Sequence, residues 1–170
     1  NQYGADAVRW FILSDSPPEK DVQWSDTGVF SANKFLQKIW NLNHQVAIRK
    51  EGEVNEKLDN EFELRINGLM LKIDESIENF RFNVSIAHFY EMYSFFKDGF
   101  NSEISNKTIK NNYIKMMKLM IPFTPHLAHE CLESLNCSDF NDWPNIDRKN
   151  ILDEISLAVQ VNGRTKDVIK

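Results

Sequence analysis

Residues 26–50 read DTGVFSANKFLQKIWNLNHQVAIRK, and the fold of the chain turns on that stretch. Val29, Ala32, Phe35, Leu36, Ile39, Trp40, Leu42, Val46 and Ala47 return every three or four residues, the spacing that lines one side of an α-helix. Asp26 stands where a capping acceptor belongs, so the pattern predicts one long helix from Asp26 to Lys50. Its apolar stripe is broad, as in a helix packed within a bundle. Outside the stripe the charge has one sign: Lys34, Lys38, Arg49 and Lys50 are basic, and no acid occurs between Thr27 and Lys50. Because the whole chain carries a net charge of −5, this is a local reversal.

Lys34 and Lys38 lie one helical turn apart, where two ammonium groups repel. Two readings of that face stay open. Water and salt compensate most exposed lysines, whereas a row of phosphates would account for the absence of acids, a basic patch being necessary for nucleic-acid binding and not sufficient.

A chain of 170 residues holds one ordinary domain, which buries about 70% of its unfolded surface and needs no metal or disulfide to form a core. Twelve Phe, four Trp and four Tyr supply bulky packing material, while six Gly and five Pro leave few obligatory breaks. Cys131 and Cys137, the only cysteines, fit a reducing compartment better than a disulfide framework. No apolar run approaches the length of a bilayer-crossing helix, and no signal-peptide pattern opens the chain. The expectation is a cytoplasmic monomer without membrane contact. The chain lacks an initiator Met, opens inside an apparent motif and stops inside an apparent hairpin, so it reads as a piece of a longer protein.

On either side of the central stretch the pattern is helical. Val8, Phe11 and Ile12 share a face of a short helix within residues 3–13, and Pro17-Pro18 makes 14–25 a rigid connector. Residues 51–63 hold six acids against Lys57 and read as a solvated turn. Asn60 is expected to cap a helix carrying Phe62, Ile66, Leu69, Met70, Ile73, Ile77 and Phe80, with Gly68 inside it at a cost of roughly 1 kcal/mol. Asn83 is expected to cap the next, whose aromatic face of Phe89, Tyr90, Tyr93 and Phe96 has core spacing. A helix from about Asn106 to Met120 repeats the charge anomaly: between Ile104 and His129 there are Lys107, Lys110, Lys115 and Lys118 and no acid. Thr124 and Pro125 start another helix by capping and by proline at its first position. Leu157 to Val161 alternates as a strand, Asn162-Gly163 is a strong hairpin signal, and the returning strand looks incomplete. The expected fold class is all-α, a bundle of about five helices with the start of a C-terminal β-hairpin.

Chemistry is hard to find. His126, His129 and Cys131 invite a metal, but a helical zinc site needs a His-Glu-x-x-His arrangement or its inverse, and this chain reads His-Leu-Ala-His-Glu. No phosphate-binding glycine loop, nucleophile elbow or paired carboxylate occurs in a defined context. The residues therefore favour binding over catalysis, with no catalytic residue, metal or cofactor assigned to this piece.

Several stretches resemble one family. Tyr3-Gly4-Ala5-Asp6-Ala7-Val8-Arg9, Ser14-Asp15-Ser16-Pro17-Pro18-Glu19-Lys20-Asp21 and Gln23-Trp24-Ser25-Asp26 are similar to the segment after the Lys-Met-Ser-Lys-Ser loop of bacterial leucyl-tRNA synthetases. Gly28-Val29 through Leu36 resembles the start of that family's helical anticodon-binding domain. Phe82-Asn83, Pro122-Phe123-Thr124-Pro125-His126 and Trp143-Pro144 resemble features shared among related class I enzymes. Val159-Gln160-Val161-Asn162-Gly163-Arg164 resembles the opening of the small C-terminal domain of leucyl enzymes.

The resemblance implies a leucine–tRNA ligase as the longer parent, an aminoacyl-tRNA synthetase of protein biosynthesis with an ATP-binding fold and an editing domain ahead of Asn1. That parent uses ATP and Mg and binds leucine and ATP in its catalytic domain. This piece would position tRNA(Leu), divided into a connector at 1–25, a tRNA-docking bundle at 26–150 and the truncated start of a small domain at 151–170. The family's basic positions in the helix beginning at Gly28-Val29 fall on Lys34 and Lys38, where relatives often carry Arg. Arg49, Lys107, Lys110 and Arg164 complete the expected tRNA-binding set, with both lysine-bearing helices contributing to one shared surface. The alternative is a helical protein-interaction or scaffolding domain whose basic face meets an acidic partner.

Overall fold

Among the described residues six helices follow in order: α1 (Gly4–Asp15), α2 (Asp26–Ile48), α3 (Glu56–Glu78), α4 (Phe82–Gly99), α5 (Asn106–Met120) and α6 (Pro125–Ser134). The computed structural model describes residues 3–100, 102–140 and 142–148, together with the backbone of 157–161 and 164–169. β1 (Leu157–Val161) and β2 (Arg164–Ile169) pair antiparallel, with Leu157 opposite Ile169 and a register irregularity between Val159 and Gln160. The returning strand is thus formed; Asn162 and Gly163, read as its turn, lie outside the described residues.

Helices start where a side-chain oxygen meets free backbone N–H groups, and four starts differ from expectation. Ser25, one residue before Asp26, caps α2 by accepting from the Gly28 amide at 3.1 Å, while Asp26 accepts from the Trp24 indole at 2.9 Å. Asn55 caps α3 through the Lys57 and Leu58 amides, so that helix begins a turn before Asn60. Asn83 falls inside α4, whose start has no side-chain cap. Thr124 caps nothing: its hydroxyl donates to the Met120 carbonyl, and the acceptor for α6 comes from α1, where Asp6 takes the Leu127 amide at 2.8 Å.

α3 ends in a Schellman turn, with the Arg81 amide donating to the Ser76 carbonyl at 2.8 Å and the Phe80 amide to Ile77 at 3.0 Å. Phe80 holds the left-handed position (φ 55°) and is 67% exposed, so the last apolar residue of the predicted repeat leaves the core to make the turn.

At the centre of the core is Trp10, which has no exposed surface. Its ring lies 5.3 Å from Phe35 of α2, 5.8 Å from Phe89 of α4 and 6.2 Å from Phe123. α1 therefore belongs to the bundle's interior, although its residues read as lead-in. The close approach of α1 to α2 needs Gly28, because a Cβ there would stand 2.4 Å from the Phe11 ring. The stripe of α2 is buried as predicted from Val29 to Val46, except that Ala47 is exposed, Trp40 is half-buried against His44, and Asn43 is buried in their place.

A candidate nucleic-acid interface

α2 presents Lys34 and Lys38 to solvent because the buried stripe around Ile39 leaves them on the far flank of the helix. Lys34 places its ammonium 4.5 Å over the exposed Phe30 ring, and among the described residues neither lysine has a carboxylate within ion-pairing distance. A cation held on an aromatic face keeps its charge available while losing some of its freedom. Phe35 of the same flank packs on Tyr90 and Tyr93 of α4, with centroids 4.0 and 5.6 Å away. One turn beyond Tyr93 the same side of α4 carries Lys97, exposed as well. Lys97 sits beside Asp98 and so gives no acid-free signal in the sequence.

Arg49 has a different fate. Its Nε donates to the Phe100 carbonyl at 3.2 Å, Nη1 to the Ile104 carbonyl at 2.8 Å and to Asn106 Oδ1 at 2.5 Å, and Nη2 to the Ser102 carbonyl at 3.2 Å. Most of its five donors are therefore committed inside the fold. The guanidinium also lies 5.4 Å from the Phe100 ring centroid. Asn106 returns a bond to the Arg49 carbonyl at 2.9 Å. These bonds make Arg49 a strut between the end of α2 and the start of α5.

The lysines of α5 divide three ways. Lys107 is exposed and Lys110 half-buried on one flank. Lys118, on the same flank further along, has a side chain only 11% exposed and reaches Asp139 beyond α6 at 3.5 Å. Lys115 lies on the other side, in a polar crevice with Asn60, Glu63 and Asn67 of α3. The two lysine rows have different neighbours. On α2, Asn43 bonds Ser134 of α6 and lies half a turn round from Lys34, so the α2 lysines point away from α6. On the Lys107 flank of α5, Lys118 reaches Asp139 just after α6. Arg164 stands at the head of β2 opposite Val161.

The acids of residues 51–63, read as solvation, include two that build the start of α5. Asp59 accepts from the Ser105 amide at 2.8 Å and the Thr108 hydroxyl at 2.8 Å, and Glu51 accepts from the Asn106 amide at 3.0 Å. Carboxylates at a helix N-terminus are favourable, and here they come from distant parts of the chain. Sequence could have flagged them only as acids lacking a lysine partner.

The candidate metal residues separate. His126 Nδ1 donates to Asp6 Oδ1 at 2.9 Å, His129 Nδ1 donates to the Pro125 carbonyl at 2.7 Å, and Cys131 is fully buried with its thiol pushed up to about 12 by burial and the neighbouring Glu130 charge. Among the described residues no group of three His, Cys, Asp or Glu side chains could hold an ion.

The geometry can be set beside known proteins. Residues 59–170 match the family model described as the anticodon-binding domain of tRNA ligase. The leucine–tRNA ligase of Zymomonas mobilis is 34% identical over 99% of this chain, and that of Thermotoga maritima is 33% identical over 99%. The chain spans about a fifth of the length of these relatives, 20% and 22% respectively. A crystal structure of the ternary complex of Agrobacterium radiobacter K84 agnB2 LeuRS with tRNA and LeuAMS shares the fold, with a TM-score of 0.80 and 23% identity over 99% of this chain and 23% of that one.

Proposed function

The chain belongs to the anticodon-binding domain family of tRNA ligases, and on that premise we propose that it docks tRNA(Leu) for a leucine–tRNA ligase. The observation that carries the reading is the flank of α2, where Lys34 and Lys38 stand exposed, one turn apart and without a carboxylate partner among the described residues. Contacts of this kind grip the RNA backbone and orient it without reading sequence. Lys97 lies on the neighbouring flank of α4, Lys107 and Lys110 supply further cations on α5, and Arg164 opens β2. Arg49 leaves the contact set.

In this reading residues 26–150 are the docking bundle with α1 packed onto it, and 151–170 open a small C-terminal unit. Leucine, ATP and Mg act in the parent's catalytic part, and the parent works as a cytoplasmic monomer. Among the described residues no helix is long and apolar enough to cross a membrane.

The test is a titration of tRNA(Leu) with this chain across a salt series. Replacing Lys34 and Lys38 together by Ala should weaken binding and reduce the slope of log affinity against log salt by roughly one to two units, as expected for two lost phosphate contacts. An unchanged slope removes these lysines from the interface. Saturable binding of an acidic protein, with none of tRNA, would favour the interaction-domain alternative.

A further inference from the structure

Among the described residues, Arg49 is the most heavily hydrogen-bonded cation without an ion pair. Three of its partners are consecutive-loop carbonyls, those of Phe100, Ser102 and Ile104, and the fourth is the side chain of Asn106, the first residue of α5. A loop whose carbonyls converge on one guanidinium has a fixed path, because the planar fork accepts oxygens only at set angles. The path matters because α5 begins where the loop ends. Ser105, its N-cap, is held from the other side by Asp59, and Asn106 is held by Glu51 through its amide and by Arg49 through its side chain. Lys107 and Lys110 follow within the first turn and a half.

We propose that Arg49 is a positioning residue for RNA docking: its guanidinium sets the start of α5, and so the placement of Lys107 and Lys110, relative to the lysine row of α2, without itself touching phosphate. The proposal rests on the docking reading above. It assigns to Arg49 a role that depends on the shape of the fork and not on its charge. Lysine cannot replace it, since a single ammonium on a flexible stem reaches at most part of a set of oxygens spread over three carbonyls and an amide.

Arg49→Lys and Arg49→Ala in the 170-residue chain test this, with two measurements on each. Amide hydrogen exchange reads the strut without RNA. Exchange over residues 102–109 should quicken by about tenfold or more in both variants, while the amides around Ile39 stay protected. Titration with tRNA(Leu) across salt reads the function. Both variants should bind roughly two- to thirty-fold more weakly, the range for residues that act on a site through other residues, and both should keep the wild-type salt slope.

A phosphate contact behaves otherwise: Arg49→Ala would lower the slope by about one unit and Arg49→Lys would recover affinity. That outcome overturns the proposal, as does unchanged exchange in the loop or faster exchange with unchanged affinity. If Arg49→Ala fails to fold, Arg49→Lys carries both measurements. Absence of tRNA binding by the wild-type chain sinks the docking reading, and the positioning role with it, whereas faster exchange in the same experiment would still show the strut; the two failures are thereby told apart.

Discussion

The flank of α2 and the beginning of α5 are both lysine-bearing and acid-free in sequence, within a chain of net charge −5. In the fold they solve that excess of charge differently. α2 leaves Lys34 and Lys38 in solvent with nothing nearer than an aromatic ring to answer them. At α5, Glu51 and Asp59 cap the first turn through backbone and hydroxyl bonds, Arg49 ties it to α2, and among the described residues Lys118 is the lysine that gains a carboxylate, Asp139. An acid-free stretch in sequence says only that no neighbour in the chain compensates the charge. Compensation from a distant residue, as Asp139 supplies to Lys118, is invisible to that test. The α2 row, with no carboxylate partner among the described residues, is suited to an external polyanion.

The difference can be broken at its strongest point first. Arg49→Ala should lower stability by about 3 kcal/mol, since it removes several charge-assisted bonds and strands loop carbonyls, and the thermal midpoint of the chain measures it. A loss below about 1 kcal/mol would make the strut a surface ornament and erase the contrast with α2. Trp40→Ala probes the half-buried side of α2 opposite the lysines. Because the ring is only partly enclosed and packs on His44, the loss should be about 2 kcal/mol in a denaturant melt, below the 3–5 typical of a fully buried Trp such as Trp10.

The joint between the two helices offers a third test. Tyr113 of α5, fully buried, donates its hydroxyl to the Ile39 carbonyl of α2 at 2.9 Å, and burial raises its pKa well above 10.0. Cys131 nearby is pushed up to about 12, also chiefly by burial. Both groups stay protonated in the fold after the unfolded chain has begun to ionise, so their contribution is intact below about pH 9 and is lost as pH rises. Tyr113→Phe should cost about 1 kcal/mol at neutral pH and flatten the decline above pH 10, leaving the thiol's share in place. An equally steep decline in that variant would place the alkaline sensitivity elsewhere. The smallest effect is the sharpest: Lys34→Ala with Lys38→Ala should change stability by no more than about 0.5 kcal/mol while reducing the salt slope of tRNA binding. A large stability change there would mean that α2 also uses its lysines internally.

Much of this was legible beforehand, and the reasons are local. The 3.6-residue repeat identified all six of the described helices to within about a turn, because burying one face is the same requirement whatever the neighbours are. α5 is the clearest case, predicted from Asn106 to Met120 and found there. Caps were less secure, since Ser25, Asn55 and Ser105 compete with polar residues beside them, and the winner depends on where the preceding chain arrives. The lysines of α2 were found because their side of the helix meets nothing. Arg49 and Lys118 meet partners inside the fold that the sequence does not show, because a long cationic side chain can turn toward any oxygen within reach.

The amino-acid sequence by itself determined the helical class, the breaks at Pro17-Pro18 and Pro122, the apolar side of each helix and the likeness to tRNA ligases, all of which depend on residues near one another in the chain. Only tertiary structure decided which charges remain free, because that depends on what folding brings beside them. Asp6 reaches across 121 positions to cap α6, Arg49 spans 51 to 57 positions to hold the loop before α5, and Tyr113 crosses 74 to join α5 to α2. A hydrogen bond is satisfied by distance in space, and distance along the chain does not predict it.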